Sequence, residues 1–134
     1  MNDLADENGF VVVYPQGTID KRENAFFNVG YSFHEDSTVN DVAYIQSLVK
    51  QLQSTYQTDT EKTFATGMSN GGDMSFLLAC TSTDIFSAVA PIAGVMMEET
   101  LESCDPLKPI PIFEIHGTED QISLFDGDME DEGG

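Results

Sequence analysis

The chain is short of positive charge, of cysteine and of long apolar runs, and it has no tryptophan. Five lysines and arginines stand against 24 aspartates and glutamates, a formal net charge of −19. A surface of that sign repels phosphate backbones and anionic lipid, which argues against nucleic acid and membrane as partners. No apolar stretch reaches the roughly 18 residues that a membrane-spanning helix requires. The N-terminal residues MNDLADE are acidic where a secretory signal needs a basic start, so the chain read literally stays in the cytoplasm. Two cysteines, Cys80 and Cys104, permit a single intramolecular pairing. A bridge there would be worth on the order of 3 kcal/mol, and on the sequence alone the bridge and two free thiols are equally open. No Cys/His cluster has metal-ligand spacing, so neither a metal nor a cofactor is implied. Residues 126–134 carry five acids and no base, which predicts a solvated, disordered tail behind a single domain over residues 1–125. The tail opens on Asp-x-Asp but lacks the later glutamate of a calcium loop.

What is present is a core-forming chain, 40% hydrophobic, with one conspicuous motif: Gly67-Met68-Ser69-Asn70-Gly71. Gly-x-Ser-x-Gly between a strand and a helix is how α/β-hydrolases expose a nucleophilic serine. A chain of this size contains the bare pattern by accident about one time in twenty, so context decides. Upstream, Lys62-Thr63-Phe64-Ala65-Thr66 has the β-branched and aromatic content of a short buried strand. Downstream, residues 73–80 (DMSFLLAC) favour a helix. Gly67 and Gly71 are expected to remove collisions between the tight turn and the elements it joins. The new helix would aim its N-terminal N–H groups at the site, with the Asn70 N–H as oxyanion donor.

The same signals recur along the chain. Residues 9–15 (GFVVVYP) form an apolar, β-branched run, as in a parallel-sheet strand buried on both faces. Residues 16–38 are polar and glycine-containing, with Phe26, Phe27, Tyr31 and Phe33 interleaved. They predict a long loop whose aromatics cover the core in preference to lining a substrate cleft. From Val39 to Tyr56, apolar residues at Val42, Ile45, Leu48, Val49, Leu52 and Tyr56 trace one helical face, with Thr38 as N-cap and Asp41 as its capping-box partner. Residues 86–94 and 111–117 predict two more strands. Helices alternate with strands, which defines an α/β class with a mostly parallel sheet of about four strands. Beyond the last strand, His116-Gly117-Thr118-Glu119-Asp120 places an acid at the sheet edge where such folds gather their ligand groups. In the chain order Ser, Asp, His, Asp120 holds the place of a triad carboxylate. His116, at a strand end four residues before it, is poorly placed as a base, and His34, beside Glu35 and Asp36, reads as a solvated surface histidine.

Taken together, LADENGFVVVYPQGT, VNDVAYIQSLV, TFATGMSNGGDMSFLLAC, FSAVAPIAG and PIPIFEIHGTED resemble the polyhydroxybutyrate depolymerase and feruloyl esterase group of secreted α/β-hydrolases, over about residues 4–126. The resemblance implies a partial α/β-hydrolase fold, hydrolysis of a small or polymeric carboxylic ester, Ser69 as nucleophile, Asp120 as triad acid, no cofactor, and secretion. Members of that group begin several strands earlier, with a His-Gly oxyanion loop, and carry the catalytic histidine after a further strand. The resemblance therefore sets this chain in the middle of the fold, with the base outside it, and gives the histidine-glycine pair at His116 a structural role. The alternative expectation is a non-catalytic remnant that binds esters or acyl groups without turnover. Neither the acyl group nor the oligomeric state is indicated.

Overall fold

A helix apolar on most of its faces has to be buried, and residues 70–81, with Met74, Phe76, Leu77, Leu78 and Ala79 spread around it, meet that condition. In the computed structural model, which describes residues 1–21, 23–34 and 36–127, they form the central helix of the chain. The elements in order are α1 (Asn2–Asn8), β1 (Thr18–Ile19), β2 (Ala25–Phe26), a 3-10 turn (Ser32–His34), α2 (Asp41–Tyr56), β3 (Phe64–Met68), α3 (Asn70–Thr81), β4 (Ala88–Ile92) and α4 (Glu98–Ser103). Strands β3 and β4 pair in parallel, from Phe64 opposite Ala88 to Met68 opposite Ile92, with α3 as the crossover between them. The class is α/β, as the alternation of patterns predicts.

A third segment runs parallel to β4 on its other side. Val89 bridges Ile112, and Ile92 bridges Ile115. Its ladder is broken for a chemical reason. Val89 and Ala93 donate N–H bonds to the carbonyls of Pro111 and Ile115, and Phe113 and Ile115 donate back to Val89 and Pro91. Pro91, midway along, has no N–H to give, so one rung is missing and the predicted strand over 111–117 is reduced to bridges.

Side chains Val29, Tyr31, Ile45, Met74, Leu78, Ile85 and Phe86 form the core, with Phe26, Phe27, Val42 and Ala65 packed against it. The core thus lies between α2, α3, the aromatic loop and one face of the sheet. On β3, Ala65 and Gly67 turn inward while Phe64 and Met68 are 65% and 70% exposed, the two-residue alternation of a strand covered on one side. Most loop aromatics are core cover, as expected, although Phe33 is exposed. Within that loop β1 and β2 pair as a short antiparallel hairpin that the composition does not announce.

Three expectations need correction. Residues 10–17 carry no secondary structure, and Phe10, Val11, Val13 and Tyr14 are exposed: among the described residues no strand pairs with this apolar run. Helix α2 is capped by Asn40, whose Oδ1 accepts the Ala43 N–H at 2.9 Å, and not by Thr38. Asp41 does not complete a capping box; it is 2% exposed and accepts the Asn28 N–H at 2.6 Å, which fixes the aromatic loop to the start of α2. The helix face itself is as predicted, with Ile45 buried and Val42, Leu48, Val49 and Leu52 half-buried, but Tyr56 points outward. The acidic tail falls mostly on residues 128–134, outside the described residues.

Cys80, near the C-terminus of α3, is bonded to Cys104, immediately after α4, so of the two thiol states left open the structure has the disulfide. Helix α4 buries none of its own residues; it is tied to the core by that bond at its end and by Met97, packed against the core, at its start.

Candidate active site

Ser69 is the single residue between β3 and α3. Its backbone sits at φ 54°, ψ −124°, a region that L-residues avoid at a cost of about 1–3 kcal/mol. The surroundings over-determine it. The Ser69 N–H donates to the Ile92 carbonyl at 2.9 Å, and the Ser69 carbonyl accepts from Gly72 N–H at 2.6 Å and Asp73 N–H at 3.0 Å. The side chain is exposed, and among the described residues its Oγ has no hydrogen-bond partner. The next two N–H groups, of Asn70 and Gly71, belong to the first turn of the helix and likewise have no partner among the described residues.

The glycines around the turn divide their work differently from expectation. A Cβ on Gly67 would lie 2.4 Å from the carbonyl carbon and oxygen of Gly71, so Gly67 is needed for β3 to pass under the helix. A Cβ on Gly71 would meet nothing within 4 Å: Gly71 is the surface approached, and its own lack of a side chain relieves no collision. The second close approach is between Gly72 and Gly94, where a Cβ on Gly94 would stand 2.7 Å from the Gly72 carbonyl carbon. It packs the first turn of α3 directly on the loop after β4, beside Ala93 at φ 47°. Two non-glycine residues at positive φ, Ser69 and Ala93, therefore follow adjacent strand ends at one edge of the sheet.

Asp120 follows the third strand segment at that same edge. Its Oδ1 accepts the N–H groups of Ile122 at 2.9 Å and Ser123 at 3.0 Å, and these bonds, aided by nearby His116, hold its carboxyl below the usual aspartate range. No hydrogen bond or ion pair joins Asp120 to Ser69. The ring of His116 is 6% exposed and engaged at both nitrogens: Nε2 donates to the Ser123 carbonyl at 2.7 Å and Nδ1 lies 3.1 Å from Glu114 Oε1. The Ser123 carbonyl first, then Glu114, raise its pKa by favouring the doubly protonated ring. A ring so occupied has no lone pair to offer Ser69. His34 is not a surface histidine as expected: its side chain is 11% exposed, Nε2 is 3.2 Å from Asp20, and Phe26 and Phe33 pack edge-on to it. The aromatic loop folds back over it, which its polar sequence neighbours conceal.

Sequence reasoning missed a polar network beneath the turn. Asp73, 5% exposed, accepts the Tyr31 hydroxyl on Oδ2 and the Val95 N–H on Oδ1 at 2.7 Å. Burial raises the Asp73 pKa against these two hydrogen bonds, and burial followed by the bond to Asp73 raises that of Tyr31, so the phenol remains a donor. The Asn70 side chain clasps the main chain of one residue of the aromatic loop: Oδ1 accepts the Phe27 N–H at 2.8 Å and Nδ2 donates to the Phe27 carbonyl at 3.0 Å. The available signal was an acid, Asp73, inside an otherwise apolar helical run. Among the described residues no group of three or more His, Cys, Asp or Glu is placed to hold a metal ion.

An exposed serine on a strained strand-to-helix turn, at the C-terminal edge of parallel strands, places the chain in the α/β-hydrolase fold class. Solved structures agree: the chain aligns with Arabidopsis thaliana SOBER1 at a TM-score of 0.64 and 23% identity, over 92% of this chain and 66% of that one. A thermostable esterase aligns at 0.53 over 65% of the chain and 22% of its own. The family described as esterase PHB depolymerase matches residues 1–129, and the chain belongs to it. Similar proteins include probable feruloyl esterase C of Aspergillus niger, 38% identical over 67% of this chain and 32% of that protein. The bifunctional acetylxylan esterase/xylanase XynS20E of Neocallimastix patriciarum is 29% identical, over 89% of the chain and 16% of that protein. The putative esterase NocK of Nocardia uniformis is also 29% identical, over 95% and 36%. The chain thus spans 16–36% of the length of these relatives.

Proposed function

We propose that the chain carries the nucleophile and the triad acid of a serine carboxylic ester hydrolase. The observation that carries this reading is Ser69: exposed, strained and flanked by two helix N–H groups without a partner among the described residues. Its Oγ would attack the ester carbonyl, and the Asn70 N–H would receive the developing oxyanion, aided by the helix dipole. Asp120, kept ionised by two backbone N–H groups, would orient the imidazole that takes the serine proton. That imidazole is neither His116, whose nitrogens are both engaged, nor His34, whose Nε2 faces Asp20, so the base is a histidine that this chain does not carry. No cofactor takes part in the reaction. The substrate class is a small or polymeric carboxylic ester, of the polyester or phenolic acyl kind, and the Cys80–Cys104 bridge supports work in an oxidising, extracellular setting.

The test is hydrolysis of p-nitrophenyl acetate by the product of the full coding sequence and by its Ser69→Ala variant. Removing the nucleophile should lower turnover by about a millionfold, to background. Equal rates from the two folded proteins would refute the assignment and leave the chain as an ester-binding remnant.

A further inference from the structure

The hydrogen bonds around Ser69 form a closed circuit. The Ser69 carbonyl accepts from Asp73 N–H, the Asp73 carboxylate accepts from the Tyr31 hydroxyl, and the Tyr31 oxygen accepts from Asn70 Nδ2 at 3.3 Å. Asn70 is bonded covalently to Ser69, which closes the ring. Two branches leave it. The Asn70 amide holds both main-chain polar groups of Phe27, and the neighbouring Asn28 N–H is held in turn by the buried Asp41 on α2. Asp73 also holds Val95, in the loop packed against Gly72. Backbone at the tip of a strained turn is free to rotate unless fixed from both sides; here it is fixed from α2 through the aromatic loop and from β4 through Val95.

We infer that the Asn70 side chain is a positioning group for the site, clamped by Tyr31 and Asp73, and that it fixes the direction in which the adjoining backbone N–H meets the oxyanion. This rests on the reading of Ser69 as nucleophile. Asn70 then has two separable roles: its N–H stabilises charge, and its amide aims that N–H. A short alanine side chain preserves the first role and abolishes the second. An oxyanion donor is worth a hundredfold or more in kcat only when preorganised at hydrogen-bond distance, so losing its aim lowers turnover without weakening substrate binding.

The experiment measures kcat and KM for p-nitrophenyl acetate with the product of the full coding sequence, with Asn70→Ala, with Tyr31→Phe and with the double variant. Active sites are titrated by a p-nitrophenyl phosphonate, so kcat is counted per reactive serine. The expected result for Asn70→Ala is a fall in kcat of about tenfold with KM within about twofold, for a partly misaimed donor. For Tyr31→Phe it is a smaller fall of about threefold, and for the double variant no further loss beyond Asn70→Ala, since both act through one circuit. An unchanged kcat per titrated site, a change confined to KM, or independent additive losses would overturn the inference. Should Asn70→Ala fail to fold, kcat per site in Tyr31→Phe decides alone. A wild-type protein without Ser69-dependent turnover would remove the nucleophile reading, and the inference with it.

Discussion

Breaking the Cys80–Cys104 bond should cost the domain a large and calculable part of its stability. The cysteines lie 24 residues apart. For a loop of that length the chain-entropy relation gives about 3.5 kcal/mol at 25 °C. With an unfolding entropy near 2.1 cal/mol/K per residue, that corresponds to a fall in Tm of about 12 °C. The loss should also be distributed unevenly. Helix α4 buries none of its residues, whereas Cys80 belongs to the buried helix α3. The Cys104→Ser variant should therefore release residues 98–104 first, with amide exchange rising there while the β3, β4 and α3 amides remain protected. Thermal melting followed by circular dichroism, together with hydrogen exchange, tests both statements. A Tm within about 3 °C of wild type, or uniform deprotection of α3 and α4, would refute the view that this bond holds the C-terminal end of α4 on the core.

The two glycines of the serine turn should respond in opposite directions. Gly67→Ala drives a Cβ into the Gly71 backbone and should destabilise by about 2 kcal/mol or more, whereas Gly71→Ala enters open space on a helix and should stabilise by up to about 1 kcal/mol; a similar loss in both urea midpoints would refute the assigned geometry. The raised pKa of His116 makes a pH prediction, with Glu114, Asp120 and the more distant Asp73 as the acids facing it. Its contribution to stability is complete below the unfolded-state pKa of about 6.5 and is lost as pH rises through the higher folded value. Asp120, with its pKa lowered, behaves in the opposite sense: its contribution is present above about 3.9 and lost as pH falls through the folded value. Urea unfolding above neutral pH should show a decline in wild type that His116→Gln lacks, and parallel profiles for the two proteins would contradict the hydrogen bonding described for the ring.

Local chemistry was legible wherever one residue type settles the matter. The serine turn could be placed because strand, Gly-x-Ser-x-Gly and helix follow one another within twenty residues, and α2 because six apolar residues repeat at helical spacing. Residues 9–15 are not a strand despite their composition, because an apolar β-branched run states a preference for burial and says nothing about whether a neighbour is present to pair with it. Asn40 takes the cap from Thr38 because two polar residues two positions apart compete for it, and where the chain enters the helix decides. The burial of His34 is not legible from its neighbours, because it depends on where Phe26, on the hairpin, and Phe33, in the 3-10 turn, come to lie.

By itself the amino-acid sequence determined the parallel α/β class, the strand–turn–helix around Ser69, helix α2 and the acidic character of the surface, because propensity, periodicity and charge act over a few residues. Only the tertiary structure decided which cysteine state holds, which glycine is sterically required, that both His116 nitrogens are occupied, and that Tyr31, Asn70 and Asp73 join beneath the turn. The contacts of Tyr31 with Asp73 and Asn70 link residues about forty positions apart, whose approach is set by how α3, the aromatic loop and the sheet pack together and by no pattern within any one of them.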